Sequence, residues 1–362
     1  METRKLQQVG GGTYTVSIPK DWADDHSLEA GMELYLYTHS DGSIVVRDAE
    51  TDAGALAAVE LVVDGPDPAL VERALRGAHA AGFETVTLRP GTGSDSGAGS
   101  GEFTDEQRRA ARSVVRTLVG TDLFVDTARE ITVQHLLDAG TVSVRQSVVQ
   151  LQFSAQSIHE GATDAVLAGD PDAAARLAER RDEADRLCRM VARHFARSLV
   201  SFGEVDRLGV SRPDLFDYYV TARALERVAD LGIELAGTVD DAGQGLPEEV
   251  GESLRETARA ARETVGDATT AVLDGATAPA AQSLLADCHA VVDRADAIEG
   301  ALVCDHDVTV PTAVRTVRAV DAVRRTADCG TTVAETALRA AIRSTAADGR
   351  PTEVSRTGGS KR

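Results

Sequence analysis

Hydrophobic and polar positions alternate through the first 48 residues. Tyr14, Val16 and Ile18 alternate with threonine and serine, which predicts a strand with one buried face. Two further apolar runs, 34–37 and 44–46, flank an Asp-Gly step, and this arrangement is typical of a β-hairpin. Residues 1–48 therefore predict a small β-rich domain.

The following stretch, 56–136, mixes the strand and helix periods. Apolar runs predict four strands and helical spacing predicts two helices. The strands are placed at 59–63, 83–88, 122–125 and 131–133, and the helices at 67–81 and 104–119. The Gly- and Ser-rich segment 91–102 predicts a flexible loop, and it lacks the patterns that cradle phosphate or expose a nucleophilic serine.

From residue 138 the pattern is helical. Six long helices with short breaks predict antiparallel packing, with one three-helix bundle over 138–242 and a second over 246–346. The last residues, 348–362, predict a disordered tail. The fold class predicted is thus multidomain: an N-terminal β-rich domain, a small α/β segment, and C-terminal all-α tandem three-helix bundles.

An internal repeat supports the two bundles. ALERVADLGIELA at 224–236 aligns with AVRRTADCGTTVA at 322–334, and six of the aligned positions are identical. Upstream, DEAD at 182–185 aligns with DRAD at 293–296. Duplication of a three-helix unit explains these matches better than chance does, although alanine-rich helices raise the number of identities.

The balance of charge is strongly acidic. The formal net charge is -20, and only Lys5, Lys20 and Lys361 are lysines. Such a surface resembles that of proteins from halophiles, and the alternative is an acidic protein from a GC-rich genome. Because this field repels nucleic acid, DNA binding requires a local cationic patch.

Neither a membrane span nor a secreted disulfide framework is indicated. The apolar runs are too short to cross a bilayer and the N-terminus lacks the apolar core of a signal peptide, which predicts a cytoplasmic protein without membrane insertion. The cysteines are scattered without a paired motif, so buried free thiols are expected. They are Cys188, Cys288, Cys304 and Cys329.

Carboxylates recur at helical spacing in the bundles. Glu226 and Asp230 are four residues apart and project from one side of a helix, Glu226 beside the apolar stripe and Asp230 farther toward solvent. Clustered carboxylates on neighbouring helices are suitable ligands for Mg²⁺, Mn²⁺ or iron. In a chain with 58 acidic residues, however, the same spacing also describes an ordinary solvated surface.

Residues 4–46 resemble the AbrB/MazE/SpoVT swapped-hairpin family. The resemblance is carried by the basic start, the glycine run, the strand ending Ser17-Ile18-Pro19-Lys20, the corner at Leu28 and Gly31, and the closing hairpin. It implies a barrel made by two interleaved chains, and therefore a homodimer that binds DNA. The candidate DNA contacts are Arg4, Lys5 and Lys20.

Residues 138–345 are similar to the PhoU family of tandem three-helix bundles, on the LERVADLGIELA helix and the repeat. This resemblance implies phosphate-dependent control and metal sites of Mg, Mn, Fe or Zn built from (E/D)xxxD motifs. By residue, the implied ligands are Asp182, Asp185, Glu226 and Asp230, and then Asp293, Asp296 and Asp328. Arg324 stands where a Glu is expected, so one site is expected to be incomplete or replaced by an Arg–carboxylate pair. The fusion of modules resembles archaeal, in particular haloarchaeal, PhoU-type regulators.

Two functions remain open. The first is a phosphate-responsive transcriptional regulator that dimerises and binds DNA through the hairpin module and senses metal or partner state through the bundles. The second is an adaptor that docks on a phosphate-transport ATPase or sensor kinase, with the hairpin module serving dimerisation alone. A metal-dependent hydrolase is disfavoured, because His194 and His289 are isolated histidines on amphipathic helices. We therefore predict that the protein is not an enzyme.

Overall fold

A computed structural model describes residues 3–10, 12–38, 42–47, 54–91, 101–239, 246, 248–304 and 308–347. Three predicted features lie wholly or mostly outside these residues: the Ser40-Asp41 turn, the flexible loop and the tail. The chain forms two compact units, Met1–Ala55 and Leu56–Arg362. The finer domain boundaries within the second unit stay predictions.

The N-terminal unit contains two antiparallel strand pairs and a short helix. Strand β1 (Gln7–Val9) pairs with β2 (Thr13–Thr15), and β3 (Tyr35–Thr38) pairs with β4 (Ile44–Arg47). Helix α1 (Lys20–Asp25) lies between the pairs. The predicted strand at Tyr14 is confirmed, but it is shorter than the alternation suggested and ends at Thr15.

The second unit begins with an α/β layer. Its sheet has the order β5-β6-β8-β7, with β5 and β6 parallel and the other neighbours antiparallel. The strands are β5 (Ala58–Val63), β6 (Thr85–Pro90), β7 (Thr121–Asp126) and β8 (Ile131–His135). Helices α2 (Pro68–Ala81) and α3 (Asp105–Thr117) pack on one face of the sheet, where they enclose a core around Val71, Leu88 and Ile131.

Capping residues in the sequence define the ends of these two helices. Asp67 accepts a hydrogen bond from the backbone N–H of Ala69, and Pro68 occupies the first turn of α2. Thr104 and Gln107 form a reciprocal capping box at the start of α3. Gly82, with φ of 101°, ends α2 in the left-handed region.

Seven helices are described between residues 144 and 347, where the sequence predicted six. They are α4 (Val144–Ala168), α5 (Ala173–Ser198), α6 (Phe202–Leu208), α7 (Arg212–Ala236), α8 (Glu248–Asp274), α9 (Ala278–Cys304) and α10 (Val310–Ala347). The additional helix is α6, which starts where the Ser201 hydroxyl accepts a hydrogen bond from the backbone N–H of Glu204. The break that the sequence suggested after α5 therefore contains a short capped helix.

The six long helices form two three-helix sets that share their cores. Helices α4, α5 and α7 pack together, as do α8, α9 and α10. Between the sets, α4 packs against α8, and α7 packs against α8 and α10. Both hydrophobic clusters contain buried residues from both sets. The two halves of the repeat are therefore joined through two shared apolar clusters.

The repeated glycines lie at close contacts between helices. A Cβ atom on Gly232 would lie 2.8 Å from Cγ2 of Ile158 on α4, and one on Gly330 would lie 3.1 Å from Sγ of Cys288 on α9. Contacts this short leave no room for a methyl group without movement of the neighbour. A side chain at either position would thus press on the facing helix.

The repeated arginines converge on one carboxylate. Arg227 on α7 places Nη1 3.0 Å from Oε1 of Glu234, and Arg325 on α10 places Nη1 2.9 Å from Oε2 of the same residue. Thr332 stands at the position in the second repeat that corresponds to Glu234. The contact between the two sets is therefore asymmetric.

Candidate functional site

The three candidate DNA contacts are exposed in the N-terminal unit. Arg4 and Lys5 precede β1, and Lys20 begins α1 shortly after β2. Because Gln7 pairs with Thr15, the chain enters and leaves this hairpin at the same end, opposite the Gly10 turn. The pairing therefore places Arg4 and Lys5 beyond the end of the hairpin from which the chain continues toward Lys20.

The apolar side chains of this unit do not form a hydrophobic core in a single chain. None of its described residues is buried. Tyr14, Val16 and Leu36 have relative exposures of 63%, 58% and 66%. A chain of this size with its apolar faces in water cannot stabilise its strands alone.

In the first bundle, the predicted carboxylates meet arginines across the facing helices α5 and α7. Nε of Arg181 donates to Oδ1 of Asp230 at 3.0 Å, and its Nη1 lies 3.5 Å from Oδ2 of Asp185. Arg189, one turn later on α5, also donates to Asp185. Asp182 is exposed, with its Oδ1 4.0 Å from Nη1 of Arg181.

Glu226 is half-buried beside the buried Asp185. Its Oε2 accepts a hydrogen bond from the thiol of Cys188 at 3.3 Å, and Arg223 donates to the same oxygen. Burial raises the pKa of Glu226, and the nearby Asp185 carboxyl adds to this, whereas Arg223 opposes it. Burial, followed by the charge of Glu226, raises the pKa of Cys188, so its thiol stays protonated.

In the second bundle, one arginine gathers the carboxylates. Nη1 of Arg324 donates to Asp296 at 3.1 Å and to Glu299 at 3.2 Å, both on α9, while its Nη2 donates to Asp321 at 2.7 Å. The hydrogen bond to Asp321, followed by that to Asp296, raises the pKa of Arg324. Asp293 and Asp328, the other two predicted ligands, are exposed.

These surroundings do not fit a metal ion. Asp185, Asp230 and Asp296 already accept hydrogen bonds from guanidinium groups, and Glu226 is held by Arg223 and a thiol. Within the described residues, no three His, Cys, Asp or Glu side chains are grouped in a way that could hold a metal. Metal binding here stays a prediction from the resemblance, without support from the arrangement of side chains.

A buried polar cluster was not anticipated from the sequence. Two arginines of α5 reach the C-terminal end of α2 in the α/β layer: Arg193 donates to the carbonyl oxygens of His79 and Phe83, and Arg197 to that of Gly82. Glu204 on α6 accepts hydrogen bonds from Nε of Arg197 at 2.9 Å and from His194 at 2.7 Å. These contacts join the α/β layer to the first bundle.

Burial strongly affects the ionisation of this cluster. Desolvation, with the nearby charge of Arg193, lowers the pKa of both His79 and His135 to about 3, and desolvation lowers that of Arg193 to about 10. Burial alone would raise the pKa of the Glu204 carboxyl, but hydrogen bonds and charge from His194 and Arg197 outweigh it and hold this pKa below the usual range. A small cavity of about 200 Å³ lies beside Arg197, His194 and His135. Only the i,i+4 spacing of Arg193 and Arg197 in the sequence hinted at this joint.

Two family models match the chain. The model described as antidote-toxin recognition MazE, bacterial antitoxin, matches residues 7–51, and the PhoU domain model matches residues 148–239. The first range includes the apolar faces of the N-terminal unit, and the second includes Asp182, Asp185, Glu226 and Asp230. No curated protein sequence matches the chain.

Two solved structures are similar to part of the chain. PhoU from Pseudomonas aeruginosa is 17% identical, with 56% of this chain and 96% of that chain covered and a TM-score of 0.48. The phosphate transport system regulatory protein PhoU from Streptococcus pneumoniae is 16% identical, with 54% and 91% covered and a TM-score of 0.44. In the described part of the chain, no helix combines the length and apolar character needed to span a membrane.

Proposed function

From a chain that joins a MazE-like domain at 7–51 to a PhoU domain at 148–239, we propose a phosphate-responsive regulator that dimerises and binds DNA through its N-terminal unit. Its helical half receives the signal from a protein partner. It acts in the cytoplasm and has no catalytic role of its own. Both matched families are families of regulatory proteins, which supports this kind of function.

The observation that carries the proposal is that the N-terminal unit has no hydrophobic core of its own. Its apolar side chains become buried when a second copy interleaves its strands with the first. A dimer also contains two sets of Arg4, Lys5 and Lys20. Six positive charges within a small region supply the local cationic patch that DNA phosphates require.

The charge of the same unit favours a second candidate. Residues 1–55 contain four basic and ten acidic residues, and Asp21, Asp24 and Asp25 follow Lys20 at once. An excess of carboxylates repels DNA except where salt screens it. In the alternative function, the unit only dimerises the chain, and the helical half docks on a phosphate-transport ATPase or sensor kinase.

DNA capture separates the two functions. The purified full-length protein is incubated with genomic DNA fragments in about 2 M KCl, which shortens the range of the acidic field to about 3 Å or less, and the retained DNA is sequenced. We expect enrichment of upstream regions near phosphate-transport genes. The variant Arg4→Ala/Lys5→Ala should lose it, because it removes four of the six proposed charges of the dimer.

A charge-matched control is available in the second unit. Arg73→Ala/Arg116→Ala removes the same number of charges from exposed helix positions and should retain the enrichment. Equal DNA recovery by all three proteins would eliminate specific binding by the hairpin module. The adaptor would then be the better description, and the partners of the helical half would be sought instead.

A further inference from the structure

An arginine crosses between facing helices in each bundle. In the first, Arg181 on α5 reaches Asp230 on α7, and in the second, Arg324 on α10 reaches Asp296 on α9. The repeat makes α5 the counterpart of α9 and α7 the counterpart of α10. The same pair of helices is therefore bridged in both bundles. The arginine lies on the earlier helix of the pair in the first bundle and on the later helix in the second.

The sequence around each arginine has a common form. Arg181 precedes Asp185 by four residues, and Arg324 precedes Asp328 by four residues. In each case a cation occupies the first position of an (E/D)xxxD pattern, and the facing helix supplies the carboxylate. In the second bundle Arg324 stands where the resemblance implied an acidic ligand, whereas in the first bundle the implied ligands are all present and Arg181 lies directly before Asp182.

We propose that internal guanidinium groups, Arg181 in the first bundle and Arg324 in the second, take the place of metal ions between the facing helices. A guanidinium has five N–H donors in a fixed plane and can serve several carboxylates at once. Arg324 does so with Asp296, Glu299 and Asp321. Arg181 does so with Asp230 and Asp185, and Arg189 adds a second cation to Asp185.

The replacement has a chemical consequence for signalling. A bound ion exchanges with solution, so its occupancy follows the ion concentration. A guanidinium is part of the chain and stays charged at every physiological pH. The helical half is therefore assembled in the same way whatever divalent ions are present, and its signal comes from a protein partner. The inference concerns these bundles alone and holds whether or not the N-terminal unit binds DNA.

The test is a titration of the full-length protein with Mn²⁺, followed by the electron paramagnetic resonance signal of the free ion. We expect no saturable binding by the wild type. Arg181→Glu and Arg324→Glu each add a carboxylate and remove a cation among carboxylates. Each variant should gain saturable Mn²⁺ binding that the wild type lacks, because affinity rises with the number of charged oxygen ligands.

Matched controls lie on the same helices. Arg180→Glu and Arg318→Glu introduce the same change of charge at exposed positions and should bind no more tightly than the wild type. Far-UV circular dichroism establishes that each variant is folded, and the wild-type titration is decisive without any variant. Saturable binding of Mn²⁺ by the wild type would overturn the inference, as would variants that bind no better than their controls.

Discussion

Arg193 illustrates how a single residue can connect two layers of this protein. The residue is 1% exposed, and its guanidinium donates to the carbonyl oxygens of His79 and Phe83 at the end of α2. A cation at this end of a helix interacts favourably with the helix dipole and satisfies carbonyls that the helix leaves without partners. The burial of Arg193 is thus explained by the end of α2.

Individual buried histidines also affect how stability depends on pH. His159 is fully buried on α4 against Arg262, and His79 is nearly so beside Arg193 and His135. Desolvation lowers the pKa of His159 and of His79 from 6.5 to about 3. Both stay neutral when folded, whereas both take up a proton below about pH 6.5 when unfolded.

The unfolded chain therefore binds more protons than the folded chain between pH 6.5 and about 3. We predict that the free energy of unfolding falls as pH is lowered through this window, by at most about 1.4 kcal/mol per pH unit for each histidine. Urea unfolding at a series of pH values measures the slope. His159→Asn should reduce it by the share of one histidine, and an unchanged slope would show that His159 is not buried in its neutral form.

At the scale of elements, close helix packing depends on glycine. Gly232→Ala on α7 places a methyl group against Ile158 and the backbone of His159 on α4. We predict a loss of about 1–3 kcal/mol in the free energy of unfolding, the usual cost of overpacking a core. Chemical denaturation measures the loss.

Gly77 on α2 provides the matched comparison. A Cβ atom there would meet nothing within 4 Å. Gly77→Ala should raise the free energy of unfolding by up to about 1 kcal/mol, because alanine favours the helix. If both substitutions change stability in the same direction, packing is not the reason for the glycine in the repeat.

The exposed apolar face of the N-terminal unit predicts the oligomeric state of the whole molecule. Val16→Asp places a charge on an apolar face that is exposed in one chain and is buried in the proposed dimer. We predict that sedimentation measures a dimer for the wild type and dissociation to monomers for this variant, since an unpaired charge is costly to bury. Val62→Asp, on an exposed position of the α/β sheet, should remain dimeric. A monomeric wild type would refute the interleaved arrangement.

Local patterns in the sequence predicted most of the architecture. The alternation at Tyr14, the strand 59–63 and the helical repeat each have a period that reports an element directly, and the fold class is confirmed. Helical spacing also predicted the apolar stripe beside Glu226, and Ala229 and Gly232 of that helix are buried.

The joint between α2 and α5 could not be predicted in this way. Residues 79–84 and 193–204 are far apart in the chain, and the partners of Arg193 and Arg197 are largely backbone carbonyls, which any sequence supplies. The partners of the predicted carboxylates could not be predicted from the sequence either. Spacing placed Asp185 and Glu226 on their helices, but it could not show that arginines from the same and neighbouring turns would occupy the oxygens.

The shared carboxylate of Glu234 has a consequence for how the two halves depend on each other. If two copies of the first half paired with twofold symmetry, each copy's Arg227 could face the other copy's Glu234. Two copies of the second half would face Arg325 with Thr332, which offers no charge. At this contact the first half carries both charges, whereas the second half has no carboxylate at the position of Glu234 and depends on the first half for it. The two halves are therefore not interchangeable at this contact.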